Sequence, residues 1–382
     1  MLYYLSQQCL EAAAGTRWAE WVSGLNVFRY ITFRSAGAAV TGLLLSLWLG
    51  PRVIEGLRRL KFSQLYADRA REAGGLEQRA ELKRGVPTMG GLLIVVAIDL
   101  TALLWAQWNR LVVLTLVPLV GLAALGFYDD HAKITAQHGA GLHSRIKLIV
   151  QTGLGVLIAA YLWSVADLRT LVSDLMVPFL KEPVLRGVPL LGALLTLFTI
   201  VGSSNAVNLT DGMDGLAIGC TLIVTAVFLV LTYVAGHTII AEYLGVPYVP
   251  GAGELTVVCA GMFGACLGFL WFNCHPAQVF MGDTGSLALG GVLGIIAVLI
   301  HQPLVLFIAG GVFVMEAVSV MIQVGFFKYT RRRTGTGRRV FLRAPVHHHF
   351  EERGWGESQV VTRFYILGVF FAVLALATLK LR

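Results

Sequence analysis

Ten apolar stretches separated by short polar segments dominate the chain, at about 30–50, 86–106, 110–127, 147–166, 190–207, 215–236, 254–272, 285–301, 303–326 and 359–379. A bilayer core of about 30 Å is crossed by roughly 20 helical residues at about 1.5 Å each. Each stretch is therefore read as a membrane-spanning helix. The expected fold is all-α: one polytopic transmembrane domain over residues 1–382. The polar connections at about 51–85, 128–147, 202–214, 273–285 and 327–358 carry the chemistry-bearing residues.

Composition agrees with this pattern. Hydrophobic residues make up 56% and charged residues 14% of the 382, and the mean hydropathy is +0.73, outside the usual range of a soluble domain. The first thirty residues contain Glu11, Arg17, Glu20 and Arg29, and lack the basic start and apolar core of a cleavable leader. The five cysteines, Cys9, Cys220, Cys259, Cys266 and Cys274, have no metal-ligand spacing and are expected to be free thiols.

The net charge of +8 would suit nucleic acid, but its placement follows topology. Lysines and arginines crowd into 51–85, 128–147 and 327–358, whereas 237–253 and 301–303 have none and 167–189 has Arg169, Lys181 and Arg186. In a ten-span chain the three basic segments share one side. The positive-inside rule makes that side cytoplasmic and puts both termini outside. No nucleic-acid partner is needed to account for the charge.

Four polar islands lie on the same side. Asp129 and Asp130 end the third stretch in GFYDDHAK. Adjacent carboxylates repel and call for a cation, a proton or a basic partner. Lys133 is near, and a solvated helix end is the plainer reading. Asn205, Asn208, Asp211 and Asp214 recur every three residues in SSNAVNLTDGMDGLA, either on one helix face or in a polar turn at Gly212 and Gly215. Asp283 sits among glycines before the eighth span in MGDTGS. It could serve as that helix's N-cap or hold Mg²⁺ against a phosphate. His347, His348 and His349 follow an arginine-rich run; consecutive imidazoles fit a regular zinc site poorly and suit phosphate contacts or control of a neighbour's proton. Lys83, in KRGVPTMGG, could be a topology charge or a substrate contact. Asp99 and Glu316 fall inside spans, where a charge costs about 2.5–3.5 kcal/mol on insertion scales, so both are expected to face the bundle interior, without an assigned role.

Acids, amides, imidazoles and lysine at one membrane surface suit phosphoryl transfer, which needs charge neutralisation and positioning above all. No Walker A loop is present, so ATP-driven chemistry is unsupported. Transporter sites lie near the bilayer midplane on broken helices, and these acids lie at a surface.

The motifs ITFRSAG, KRGVPTMGG, GFYDD, SSNAVNLTDGMDGLA, PAQVFMGDTGSLALGG, APVHHHFE and the C-terminal LATLK occur in this order. Together they resemble the phospho-N-acetylmuramoyl-pentapeptide-transferases, within the polyprenyl-phosphate N-acetylhexosamine-1-phosphate transferase superfamily. APVHHHFE is the most specific, because related transferases share the acidic motifs and differ in this loop; a transferase for another UDP-amino sugar is the alternative. The resemblance implies ten spans with outside termini in the bacterial inner membrane and the active site facing the cytoplasm. It implies Mg²⁺-dependent transfer of phospho-MurNAc-pentapeptide from its UDP donor to undecaprenyl phosphate, and a homodimer. By motif it implies Asp283 as metal ligand, Asp129 and Asp130 as an essential pair with Asp129 a base, and Asn208 and Asp211 in support. Lys83, Asp214, Asn273 and Phe280 would contact the nucleoside, Lys133 the substrate, and His347, His348 and His349 would lie near the donor. Met213 departs from a usual Leu, and Cys274–His275 from a usual Thr-Tyr or similar pair. Gln137 stands where many relatives have Lys, which would remove one phosphate contact.

Overall fold

The structure is a computed structural model that describes residues 1–16, 19–60, 85–135 and 141–379. Lys83 and Gln137 lie outside the described residues. The long helices are α3 (Ile31–Arg59), α5 (Arg110–Thr135), α6 (Ser144–Ser164), α8 (Pro189–Thr210), α9 (Leu216–Ala235), α11 (Gly253–Asn273), α12 (Gly282–Leu299), α14 (Gly311–Thr334) and α16 (Glu357–Ala377). Among the described residues these nine are long and apolar enough to cross a bilayer. The stretch read as 86–106 forms the shorter α4 (Gly91–Trp105). No named strand occurs among the described residues, apart from an antiparallel bridge between Leu175 and Leu185. The protein is an all-helical, multi-pass membrane protein.

Several elements were not in the sequence reading. The segment before the first span holds α1 (Leu2–Ala13), α2 (Ala19–Val22) and a 3₁₀ turn at Ser23–Arg29. The Met1 amino group donates to Leu103 O (2.7 Å), so this segment packs on the end of α4. The ninth span is broken at Gly310, between α13 (Pro303–Ala309) and α14. Two further short helices, α7 (Thr170–Ser173) and α10 (Thr238–Leu244), lie in the connections, and α15 (Val346–Glu352) carries the three histidines.

Helix α12 occupies the middle of the bundle, with every residue from Thr284 to Leu299 buried. It packs chiefly on α5 and α8, while α11 packs on α3 and α9. Gly126 of α5 faces the Asp283 backbone so closely that a Cβ there would lie 2.2 Å from Asp283 O. Small residues permit such approach where lipid gives helices no hydrophobic drive to associate. At the end near the amino terminus, Arg34 of α3 forms a buried two-pronged pair with Glu254 of α11 (2.6 and 2.7 Å). Glu254 also accepts from Gln107 N–H (2.8 Å). The opposite end holds the acids.

Candidate active site

The end of α5, the turn 211–215, the start of α12 and helix α15 converge there. Asp129 and Asp130 are fully buried, which rules out a solvated helix end. Asp129 meets Lys133 Nζ (2.6 Å), Lys147 Nζ (2.8 Å) and Leu142 N–H (2.7 Å). The i, i+4 spacing brings Lys133 onto the same helix face. Lys147 comes from α6, and its Nζ also lies 2.8 Å from Asp283 Oδ2, while Lys133 lies 2.9 Å from Asp283 Oδ1. Two ammonium groups thus hold Asp129 and Asp283 together. Lys147 was missed as a site residue because, in sequence, it is one of many basic residues beside a span.

Asp130 has a separate task. It accepts from Thr284 N–H (3.0 Å), Thr284 Oγ1 (2.8 Å) and Asp283 N–H (3.2 Å). These are otherwise unpaired first-turn donors of α12, and the helix has no side-chain cap of its own. Asp283 is therefore not the N-cap that its position suggested. The cap comes from α5, which leaves the Asp283 carboxylate facing the lysines. Gly282 adopts φ +73°, and a Cβ there would lie 2.5 Å from Asp130 Oδ2, so glycine answers both the backbone conformation and the space.

Asn208 donates to Ser286 Oγ (2.8 Å) and ties α8 to α12. Asn205 instead faces Gln151 (2.8 Å), so the run of threes does not stay on one site face. Asp211 ends α8 and receives the Gly282 N–H. Burial, with the Asp283 and Asp130 carboxylates nearby, pushes its carboxyl up to about 8. An unfolded Asp titrates near 3.9, so between those values the native state binds more protons and stability falls as pH rises. In cation-free buffer, melting temperature should therefore decline from about pH 5 to about pH 8, and Asp211→Asn should flatten the decline. An unchanged slope in the variant would assign the decline to other groups.

Asp214 and Asn273 are buried at the inner side of the same turn. Asp214 accepts from Ala277 N–H (3.1 Å) and pairs with His275 Nδ1 (3.0 Å), and its own N–H donates to Glu357 (2.9 Å). Asn273 receives Gly215 N–H (3.2 Å) and donates to Val279 O (2.8 Å). Both residues brace the loops that frame this end. Phe280 is half-buried, and its backbone pairs with Pro87 and Gly90 (2.8 and 2.9 Å), which brings the stretch 87–90 to the site. The three histidines separate. His347 pairs with Glu316 (3.0 Å) and His348 with Glu351 (2.9 Å), whereas His349 accepts from Leu342 N–H (3.2 Å). Glu316 is fully buried, as a charge inside a span requires; Asp99 is half-buried.

Asp129, Asp130 and Asp283 each offer a carboxylate oxygen within 4.8 Å of the others. Hard oxygen ligands suit Mg²⁺, which is usually held by one or two carboxylates plus substrate phosphates. The donor set fits that ion. Asp130 is committed to capping and Asp129 is fully buried, so Asp283, the most exposed of the three although it meets the same two lysines, is the residue best able to hold it. Asp214, His275 and Glu357 form a second close group.

Fold and site define a polytopic membrane protein with a carboxylate–lysine cluster at one end of its bundle. Residues 112–301 match the model of glycosyl transferase family 4, and residues 83–95 match phospho-N-acetylmuramoyl-pentapeptide-transferase signature 1. The chain is 48% identical over 364 residues to the phospho-N-acetylmuramoyl-pentapeptide-transferase of Desulfotalea psychrophila, covering 94% of this chain and 96% of the relative. It is 44% identical over 386 positions to the enzyme of that name from Methylacidiphilum infernorum, covering all of both. The chain belongs to the phospho-N-acetylmuramoyl-pentapeptide-transferase family.

Proposed function

We propose that the protein transfers phospho-MurNAc-pentapeptide from UDP-MurNAc-pentapeptide to undecaprenyl phosphate, forming lipid I and UMP at the cytoplasmic face of the bacterial inner membrane. Family membership supports the reaction. The observation that carries the reading of the site is that separate polar islands meet at one end of the bundle around Asp283, Lys133 and Lys147. Ten passes leave both termini at the other end, and the basic segments near the acids support placing those acids in the cytoplasm.

Asp283 is the residue assigned to Mg²⁺, which would neutralise the donor pyrophosphate and the developing charge on the leaving phosphate. Lys133 and Lys147 attract the anionic groups of both substrates, and the Asp130 cap keeps Asp283 aimed at them. Asn208 and Asp211 hold the start of α12 against the turn. Asp214, Asn273, Phe280 and Lys83 are assigned to the nucleoside side, His347, His348 and His349 to the donor, and the assembly is a homodimer; family resemblance supports these assignments.

Asp129 is assigned as the base on the lipid phosphate. A phosphate monoester has its second pKa near 6, so a base has a proton to remove mainly below neutral pH. Asp129→Asn should therefore lose most activity on the acid limb of the pH–rate profile, and a profile of unchanged shape would refute the assignment.

The test of the function is UMP release from UDP-MurNAc-pentapeptide by membranes carrying the protein, with undecaprenyl phosphate and Mg²⁺. Inverted vesicles should release UMP while sealed right-side-out vesicles do not. Absence of release beside an active control would sink the reaction, and release by sealed right-side-out vesicles would reverse the orientation.

A further inference from the structure

Glu316 and His347 form the most deeply buried ionisable pair at this end of the bundle. Both are fully enclosed, one on α14 and one on α15, 31 residues apart, with Glu316 Oε2 3.0 Å from His347 Nδ1. The other polar atom of the ring, His347 Nε2, is buried without a hydrogen-bond partner. It points at Gly212: a Cβ there would lie 2.3 Å from His347 Nε2 and 3.4 Å from His348 Nε2. His348 is held in the same manner by Glu351 (2.9 Å), and the two rings lie 4.1 Å apart. Two carboxylate-held imidazoles therefore converge on one residue. Gly212 is exposed and has no side chain, and it stands between Asp211 and Asp214.

A buried donor or acceptor left unpaired is destabilising. Placing a carboxylate in a span is costly as well. A merely structural pair could satisfy its outer atom with backbone, yet this one holds it against a bare glycine at the rim of the site. We propose that Glu316 is a positioning residue: its carboxylate accepts the His347 Nδ1–H and fixes the ring so that Nε2 takes an anionic oxygen of the phosphate-bearing donor lying on the turn 211–215. The hydrogen bond at one imidazole nitrogen sets which proton the other carries, and a carboxylate behind the ring supports the imidazolium that such an oxygen prefers. His348 lies beside the His347 ring, with Glu351 and Arg343 close to it in turn. The inference rests on the functional reading above.

Glu316→Gln keeps the size of the side chain and removes its charge. It should lower kcat/KM for UDP-MurNAc-pentapeptide roughly 10–100-fold, the range for outer partners that orient a histidine, while leaving melting temperature close to wild type. In a His347→Gln background the same change should have little further effect, because the two residues act as one unit. On ¹⁵N-histidine-labelled wild type, UDP-MurNAc-pentapeptide should shift the His347 Nε2 signal while Nδ1 stays protonated, a measurement that needs no Glu316 variant to fold. Unmoved His347 signals on donor binding, or undiminished kcat/KM in Glu316→Gln, would overturn the proposal. A wild type that neither binds the donor nor releases UMP would instead overturn the functional reading.

Discussion

Asp283→Asn should abolish turnover while leaving the fold in place. Its carboxylate meets both lysines, Lys133 at 2.9 Å and Lys147 at 2.8 Å, and lies beside Asp129. The amide loses the negative charge needed to hold a divalent cation and to keep both ammonium groups in register. Removal of a single electrostatic stabiliser costs about 10²–10³ in rate; loss of the proposed metal ligand should reach at least the upper end of that range. The start of α12 should survive, because its first-turn donors are capped by Asp130 from α5. The expected pattern is dead enzyme, near-normal melting and weakened Mg²⁺ dependence. Near-normal activity with ordinary Mg²⁺ dependence would remove Asp283 from the metal site.

Asp130→Ala should cost both activity and stability. The Thr284 N–H, the Thr284 hydroxyl and the Asp283 N–H lose their acceptor together. Each buried donor left unpaired costs about 1–3 kcal/mol, and the truncated side chain leaves a void beside Gly282. With its first turn uncapped, α12 no longer aims Asp283, so UMP release should fall by about 10² or more. Melting separates the two acids: a fall in Asp130→Ala and none in Asp283→Asn is the expected contrast. A stable Asp130→Ala protein with lost turnover would make Asp130 a direct ligand of metal or substrate rather than a cap.

Much of the architecture was legible beforehand because membrane spanning is written locally. A run of apolar residues must bury its backbone groups in its own helix, and all ten stretches appear as helices, with α4 short and the ninth broken at Gly310. The residue types of the site were legible too, since acids and amides beside spans stand out against an apolar background. Their partnerships were not. Asp129 with Lys133 could be read at i, i+4, but Lys147 lies 136 residues from Asp283, and no spacing rule connects them. The run Asn205, Asn208, Asp211 and Asp214 looked uniform and is divided among Gln151, Ser286, the start of α12 and the 273–277 loop. His347, His348 and His349 looked equivalent, yet each has a different partner.

By itself the sequence determined the membrane-embedded all-helical class and the family, and it offered most of the candidate site residues, Lys147 excepted. These follow from local hydropathy and from residue order, which need no third dimension. Tertiary structure alone decided which carboxylate caps a helix, which is held between two lysines, and which lies behind a histidine. Those distinctions depend on Asp130 meeting α12, Lys147 reaching Asp283 and Glu316 meeting His347 across separate helices. A carboxylate's role is set by the charges and donors within hydrogen-bonding distance, and only the packing of the bundle brings them there.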